Sequence, residues 1–430
     1  MDRDAAAPDG RAFLKAVTEL GQKRPVVTSR AIYNDRGIKL LEGGVVVDAS
    51  LYDRLVAHRL RTPLDECVDS DPAVDGGVLQ QAAQAAAAST PFFAQMIPPG
   101  RVRDMVLNAI GAIPLPRPLA FQLTLAQETR PALLDHSVRC ALLCAHLVRE
   151  GGAPLHDMTM AAAAGLLHDI GMLHVDPELL ASDQRLTGDA RRPLYAHPIV
   201  ASMQVERFHD YPREVSRAVL EHHERLDGSG YPRGVAASTM TPLGRVLSLA
   251  EVVTAMFDGD RQHPVQRVSL LLRMSPRRYD PALTGSIHRL VQAVPPPAEA
   301  ASALVEESMH RLRLQCGLVD DCVQLARTLA AQQAGTGAAV LASVAEQAET
   351  LRRMLLEAGL TPDQLDRLAQ DDLSATDIRI ELWALEQELR WQLNAIGNQL
   401  QRRWRGAGDT PLPATLAEWL EQVRAFDAGG

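Results

Sequence analysis

The sequence is short of several things, and each shortage excludes a class of protein. Aromatic residues make up only 4% of its 430 positions, so any core must be built mostly from Leu, Val, Ala and Met. No apolar run approaches the roughly 20 residues that a membrane-spanning helix needs. The opening MDRDAAAPDG lacks the basic and then apolar stretches of a secretory leader. Positive charge is not in excess either. Lys and Arg total 44 against 53 Asp and Glu, a formal net charge of -9, whereas a general nucleic-acid binder carries a basic face. A local basic pocket for a phosphate ligand is compatible with that balance. The five cysteines (67, 140, 144, 316 and 322) are an odd number with no CxxC pair. Cys140 and Cys144 stand one helical turn apart in an apolar stretch and read as core packing. A reduced, cytoplasmic protein is the expectation.

What is present is the mix of a globular chain: 46% hydrophobic and 23% charged residues are too apolar and too little charged for disorder. The length suits about two to four domains. Residues 1–70 read as a small mixed α/β accessory domain. Two β-rich runs, RPVVTSRAIY and GIKLLEGGVVVD, flank the turn signal Asn34-Asp35-Arg36-Gly37 and predict a hairpin. Residues 71–128 read as a helical linker region, alanine-rich from Gln80 to Ala88. From 129 to 292 the pattern is almost wholly helical. A break at Pro295-Pro296-Pro297 precedes a C-terminal helical domain over 300–430. There Ile378, Leu382, Leu385, Leu389, Leu393, Ile396, Leu400 and Trp404 recur at steps of three and four, predicting an amphipathic helix of about seven turns.

Eleven of the thirteen histidines lie between His136 and His288, a density that ordinary packing does not produce. His168-Asp169 ends the run MTMAAAAGLLHDIG, where Gly171 is placed to terminate a tightly packed helix. Imidazole beside carboxylate is a good ligand pair for a divalent transition metal. A second group, Glu221-His222-His223-Glu224-Arg225, runs into Leu226-Asp227-Gly228-Ser229-Gly230-Tyr231-Pro232. Adjacent histidines point about 100° apart on a helix of 3.6 residues per turn. Both therefore reach one centre only near a helix end, which the Gly-Ser-Gly-Tyr-Pro loop supplies. His136 and His197 lie upstream at helical positions, and Glu251 lies in the helical run Leu247 to Met256.

At LLHDIG, HHERLDGSGYPRG, the Pro242–Leu247 stretch and YDPAL (Tyr279 to Leu283), the sequence resembles the HD-GYP family of metal-dependent phosphohydrolases, over roughly 129–292. The resemblance implies a mainly α fold: an HD-type helical bundle, here with a small N-terminal α+β domain and a C-terminal helical region. It implies a metal-dependent phosphodiesterase that hydrolyses cyclic di-GMP to linear pGpG or GMP through two divalent ions, usually iron or manganese. By position, His136, His168, Asp169 and Glu251 would hold one ion. His197, His222 and His223 would hold the other, with Asp169 bridging. Asp169 and Arg225 would be catalytic. Arg225, Gly230, Tyr231, Pro232 and Arg245 would face the substrate.

Three departures from the family pattern involve four positions. Met172 stands where a lysine is usual, removing a cation near the scissile phosphate. Glu251 and Thr254 stand where the family has an Asp-x-x-Asp pair. Ala132 replaces the glutamate that accompanies a third metal, so two ions are expected. Met172 and Thr254 favour the alternative of a catalytically weak receptor or scaffold, and a different cyclic dinucleotide or nucleotide is a further option. For the flanks, the resemblance implies homodimerisation or docking of a signalling partner such as a GGDEF-type cyclase. Neither nucleic acid nor a membrane span is expected.

Overall fold

The computed structural model describes residues 10–181, 192–259, 263–275, 277–294, 304–333, 335–357, 376–406 and 411–426. The proline break at 295–297 lies outside them. The chain is mainly α and divides into two compact units, Met1–Asp260 with Arg277–Ala293, and Arg261–Pro276 with Val294–Gly430.

The first unit opens with α1 (Arg11–Lys23), whose Phe13, Leu14, Val17 and Leu20 are buried. Four short strands follow: β1 (Val27–Thr28), β2 (Ile32–Tyr33), β3 (Lys39–Leu41) and β4 (Val68–Asp69). The predicted hairpin is β2–β3, antiparallel with Ile32 opposite Leu41. Asn34 Oδ1 accepts from the Arg36 and Ile38 amides, and Gly37 turns the chain at φ 77°. This is the Asx-turn chemistry that makes Asn and Gly hairpin residues. β1 pairs instead with the distant β4, a pairing no local pattern announces.

Helices then dominate. α2 (Tyr52–Val56), α3 (Gly76–Ala88), α4 (Pro91–Met96), α5 (Arg101–Gly111) and α6 (Arg117–Thr129) lead into α7 (Pro131–Glu150) and α8 (Leu155–Leu167). The alanine-rich α3 buries Leu79, Ala83 and Ala87 on one face. α8 buries every residue from Met158 to Leu167. Gly165 lets it close on α7, since an added Cβ would sit 2.7 Å from the Ala141 amide nitrogen. Beyond α9 (Pro177–Ala181) come α10 (Arg192–Glu206), α11 (Arg213–Glu221) and α12 (Pro242–Ala255). The unit is completed by α14 (Pro281–Ala293), after the chain has made α13 (Pro264–Met274) in the second unit.

That second unit is helical throughout its described residues: α13, α15 (Leu304–Gln332), α16 (Thr336–Glu357), α17 (Thr376–Gly406) and α18 (Ala414–Ala425). The predicted amphipathic helix is α17. Its Leu382, Leu385, Leu389, Leu393, Ile396, Leu400 and Trp404 join one apolar core with residues such as Leu312, Val319, Val323, Leu341 and Val344. Burying a leucine stabilises by about 1.5–3 kcal/mol, so this stripe alone accounts for the helix. Trp419 is buried in the same core and donates its indole N–H to the Leu318 carbonyl at 2.8 Å. No described helix is long and apolar enough to cross a membrane.

Candidate metal centre

Five helices, α7, α8, α10, α11 and the Glu251-bearing α12, deliver the site. α7 contributes His136, and α8 ends at Leu167 so that His168 and Asp169 emerge at its C-terminus. A 3-10 turn over Ile170–His174 follows. Gly171 does not end a helix by a left-handed twist. It is there because the turn is pressed onto α10, where an added Cβ would lie 2.2 Å from the His197 carbonyl oxygen. Arg130, at the α6–α7 junction, donates to the carbonyls of Met172 (2.5 Å) and Val175 (2.6 Å) and holds this turn from the other side. His197 lies inside α10. α11 ends at Glu221, immediately before the histidine pair, so both rings face inward.

The ligand-type atoms gather in two adjoining groups: His136, Cys140, His168 and Glu251, and Asp169, His197, His222 and His223, each within 4.8 Å. Asp169 faces both. Its Oδ2 is 3.5 Å from His168 Nε2, and its Oδ1 is 3.1 Å from His197 Nε2 and 3.6 Å from His222 Nε2.

Three rings are pinned by their own helices. His168 Nδ1 donates to Gly165 O (2.8 Å), His197 Nδ1 to Leu194 O (2.5 Å) and His222 Nδ1 to Val219 O (2.6 Å). A carbonyl can only accept, and a neutral imidazole carries one N–H. In the neutral form that can bind a metal, each Nε2 therefore presents a lone pair. His197 Nε2 and His222 Nε2 face each other at 3.1 Å, with the Asp169 carboxylate beside them. In the other group, His136 Nδ1 donates to Asp258 (2.7 Å), leaving Nε2 toward Glu251 Oε2, also at 2.7 Å. Lone pairs converging on one another and on buried carboxylates repel unless a cation lies among them. The donor set of imidazole and carboxylate suits a divalent transition ion. The residues present thus fit the metal that the motifs imply.

The electrostatics say the same. Burial disfavours a charged His168, yet Asp169, Cys140 and Glu251 outweigh it and push the ring up to about 9. Burial likewise opposes charge on His136, but Cys140, Glu251 and Asp258 hold it well above the usual range. Burial alone would raise the carboxyls of Asp169 and Glu251. The surrounding histidines win and hold both below their ordinary values. His222 and His223 behave oppositely: burial first, then neighbouring histidines, push them well down. A field that raises proton affinity on one side also attracts a metal ion, while depressed histidines on the other side stay free to ligate one.

The remaining sequence-predicted residues line the adjoining loop. Tyr231 stacks on His223 at 4.5 Å and meets Tyr195 edge-on at 4.7 Å. Gly230 is buried and Pro232 half-buried. Arg225 donates through Nη1 to the carbonyls of His222 (3.2 Å) and Glu224 (2.8 Å) and to Ser248 Oγ (2.9 Å), with its guanidinium over the Tyr279 ring. Arg245 donates to Ala237 O at 2.8 Å and lies 3.5 Å from Asp280. These bonds tie it to the loop rather than to the histidines.

Several participants escaped the sequence reading. Glu224 accepts from three amides in succession, those of Arg233 (2.8 Å), Gly234 (3.2 Å) and Val235 (3.0 Å), and so fastens the loop. Glu221 accepts from the Thr241 amide and hydroxyl, both at 2.8 Å, fixing the start of α12. Asp258 braces His136 and pairs with Arg139 at 2.5 Å. Cys140 lies not merely in the core but in the first ligand group. Its spacing of four from His136 on one helix was the available signal.

A family profile described as HD domain matches residues 121–283. The 3'3'-cGAMP-specific phosphodiesterase 1 of Vibrio cholerae is 28% identical over 168 residues, 39% of this chain and 36% of that protein. Cyclic di-GMP phosphodiesterase PA4108 of Pseudomonas aeruginosa is 34% identical over 122 residues, 28% of this chain and 29% of that protein. The match therefore spans about a third of these relatives' own length. A solved HD-GYP-type protein, Bd1817 of Bdellovibrio bacteriovorus, covers 63% of this chain at 15% identity and a TM-score of 0.36. The HD domain match at residues 121–283 contains the LLHDIG and HHERLDGSGYPRG segments and all the residues of the two ligand groups.

Proposed function

We propose that this protein is a metal-dependent phosphodiesterase that opens cyclic di-GMP to linear pGpG, and onward to GMP. One observation carries the reading: two imidazole–carboxylate groups share Asp169, the arrangement that a pair of adjacent divalent ions requires. Such ions, iron or manganese in this reading, supply a water activated near neutral pH and neutralise charge on the phosphoryl oxygens. His136, His168 and Glu251 would hold one ion, and His197, His222 and His223 the other, with Asp169 between them.

The chain's own residues set the geometry. The carbonyl bonds of His168, His197 and His222 fix which nitrogen faces the centre. Tyr231, stacked on His223, offers an aromatic face to a purine at the edge of the site. Arg225 supplies a fixed positive charge within that loop, next to the phosphate position. Each hydrolysis consumes one water. The P–O bond to a ribose breaks, and the ribose oxygen departs with a proton. The N-terminal module and C-terminal helices would serve as input and docking elements, the latter including self-association or a GGDEF-type partner.

The test is turnover of cyclic di-GMP, with 3'3'-cGAMP alongside, by the full chain reconstituted anaerobically with iron(II) or manganese(II) and compared with Asp169→Asn. Product from the unmutated protein alone supports the reading. Two bound ions without product would instead favour a nucleotide receptor, the reading that Met172 supports by leaving the turn after Asp169 without a lysine.

A further inference from the structure

Cys140 stands apart from the other four cysteines. All five are buried and none is in a disulfide, but only this one belongs to a group of metal-ligating atoms among the described residues. Its Sγ lies 3.4 Å from His136 Nε2 and 3.8 Å from Glu251 Oε2. It also lies 2.8 Å from Thr254 Oγ1. That hydroxyl is also within hydrogen-bond distance of the Ala250 carbonyl, at 2.7 Å.

The helix explains the geometry. His136 and Cys140 are four residues apart on α7, one turn along the same face. Gly165 of α8 packs against the backbone at Cys140 and Ala141, which brings this stretch of α7 close to His168. Glu251 and Thr254 come from α12, again one turn apart. A shorter, harder side chain at position 140 would leave His136, His168, Glu251 and Asp169 as an all nitrogen-and-oxygen set. With cysteine the set contains sulfur.

We propose that Cys140 is a ligand to the ion held by His136, His168 and Glu251, and that its sulfur makes this half of the centre selective for zinc or iron(II) over manganese. The inference rests on the two-ion reading above. On binding, the ion takes the place of the thiol proton, which leaves to solvent, and no redox change is involved. Thiolates prefer zinc and iron, whereas manganese favours carboxylate, carbonyl and water. A thiolate also adds negative charge to a site that already holds Glu251 and Asp169. The first ion would therefore be bound more tightly, and act as a weaker Lewis acid, than its neighbour.

The test uses the full chain loaded with cobalt(II), whose sulfur-to-metal charge-transfer band in the near ultraviolet reports a thiolate ligand. The expected result is that band with two cobalt ions bound, unchanged in Cys144→Ala and lost in Cys140→Ser, with ligand-field bands remaining. In zinc-loaded protein, X-ray absorption of the unmutated chain should show one sulfur at about 2.3 Å, which keeps the test independent of whether the variant folds. Cys140→Ser should lower zinc affinity at one of the two sites by at least about tenfold, since even outer-shell partners carry ~10–100-fold. Two bound ions with no sulfur signal would overturn the role of Cys140 while leaving the two-ion reading intact. Failure to bind any ion would overturn both.

Discussion

The two ligand groups are built differently although they share Asp169. In the Asp169, His197, His222 and His223 group, two of the three rings are braced by backbone carbonyls three residues back. In the His136, Cys140, His168 and Glu251 group, His168 is braced the same way by Gly165 O, but His136 relies on a side chain from far along the chain. His136 is braced by Asp258, 122 residues away, and that carboxylate is itself held by Arg139. Local backbone bracing forms whenever the helix forms. Remote carboxylate bracing requires the whole first unit to close. The first group should therefore be the more tunable and the more fragile.

Asp169→Asn tests what the groups share. It should cost both ions affinity and reduce turnover by more than a thousandfold, read from metal content and product formation together. His136→Ala and His222→Ala should separate the groups, each releasing about one of two ions by elemental analysis. If either empties both sites, the groups are a single cooperative unit.

Asp258→Asn probes remote bracing alone. By the usual weight of an outer partner it should weaken one ion by ~10–100-fold and leave the other unchanged in a competitive chelator titration. A smaller effect is expected from Met172→Lys. It restores a cation after Asp169 and should raise turnover about tenfold, the share of a modest electrostatic contact, without altering metal content.

The comparison extends to a histidine outside both groups. His174 is stacked on Phe13 at 4.8 Å. Burial, then Arg130 and Arg207, push it down to about 4. The folded protein therefore holds it neutral while the unfolded chain protonates it below its ordinary pKa of about 6.5. Its contribution to stability is complete above that value and is lost as pH falls from about 6.5 toward 4, by a few kcal/mol at most. His174→Phe should flatten this part of the acid-denaturation profile, measured by urea unfolding at a series of pH values. An unchanged slope would show that the site histidines alone set acid sensitivity.

Much of this was legible from sequence. The hairpin was, because Asn34 and Gly37 carry their own turn chemistry. So was α17, because its apolar period matches the helix. The histidine positions stood out by density and by the order His, His-Asp, His, His-His. What stayed hidden shares one property: it depends on which remote segments meet. Cys140 read as packing because sulfur in an apolar stretch is usually that. Glu221 and Glu224 gave no sign that they fasten a loop. The structural bonds of Arg225 and Arg245 were equally invisible.

Sequence by itself determined the helical character of the chain, the two histidine-bearing motifs and the ends of the helices that present them. These are properties of local hydrogen bonding and of apolar period. Only the tertiary structure decided that Asp169 faces both groups, that His136 is braced by Asp258, and that a cysteine joins the first group. Side chains more than a hundred residues apart meet only after the helices have packed, and no local pattern encodes the distance between them.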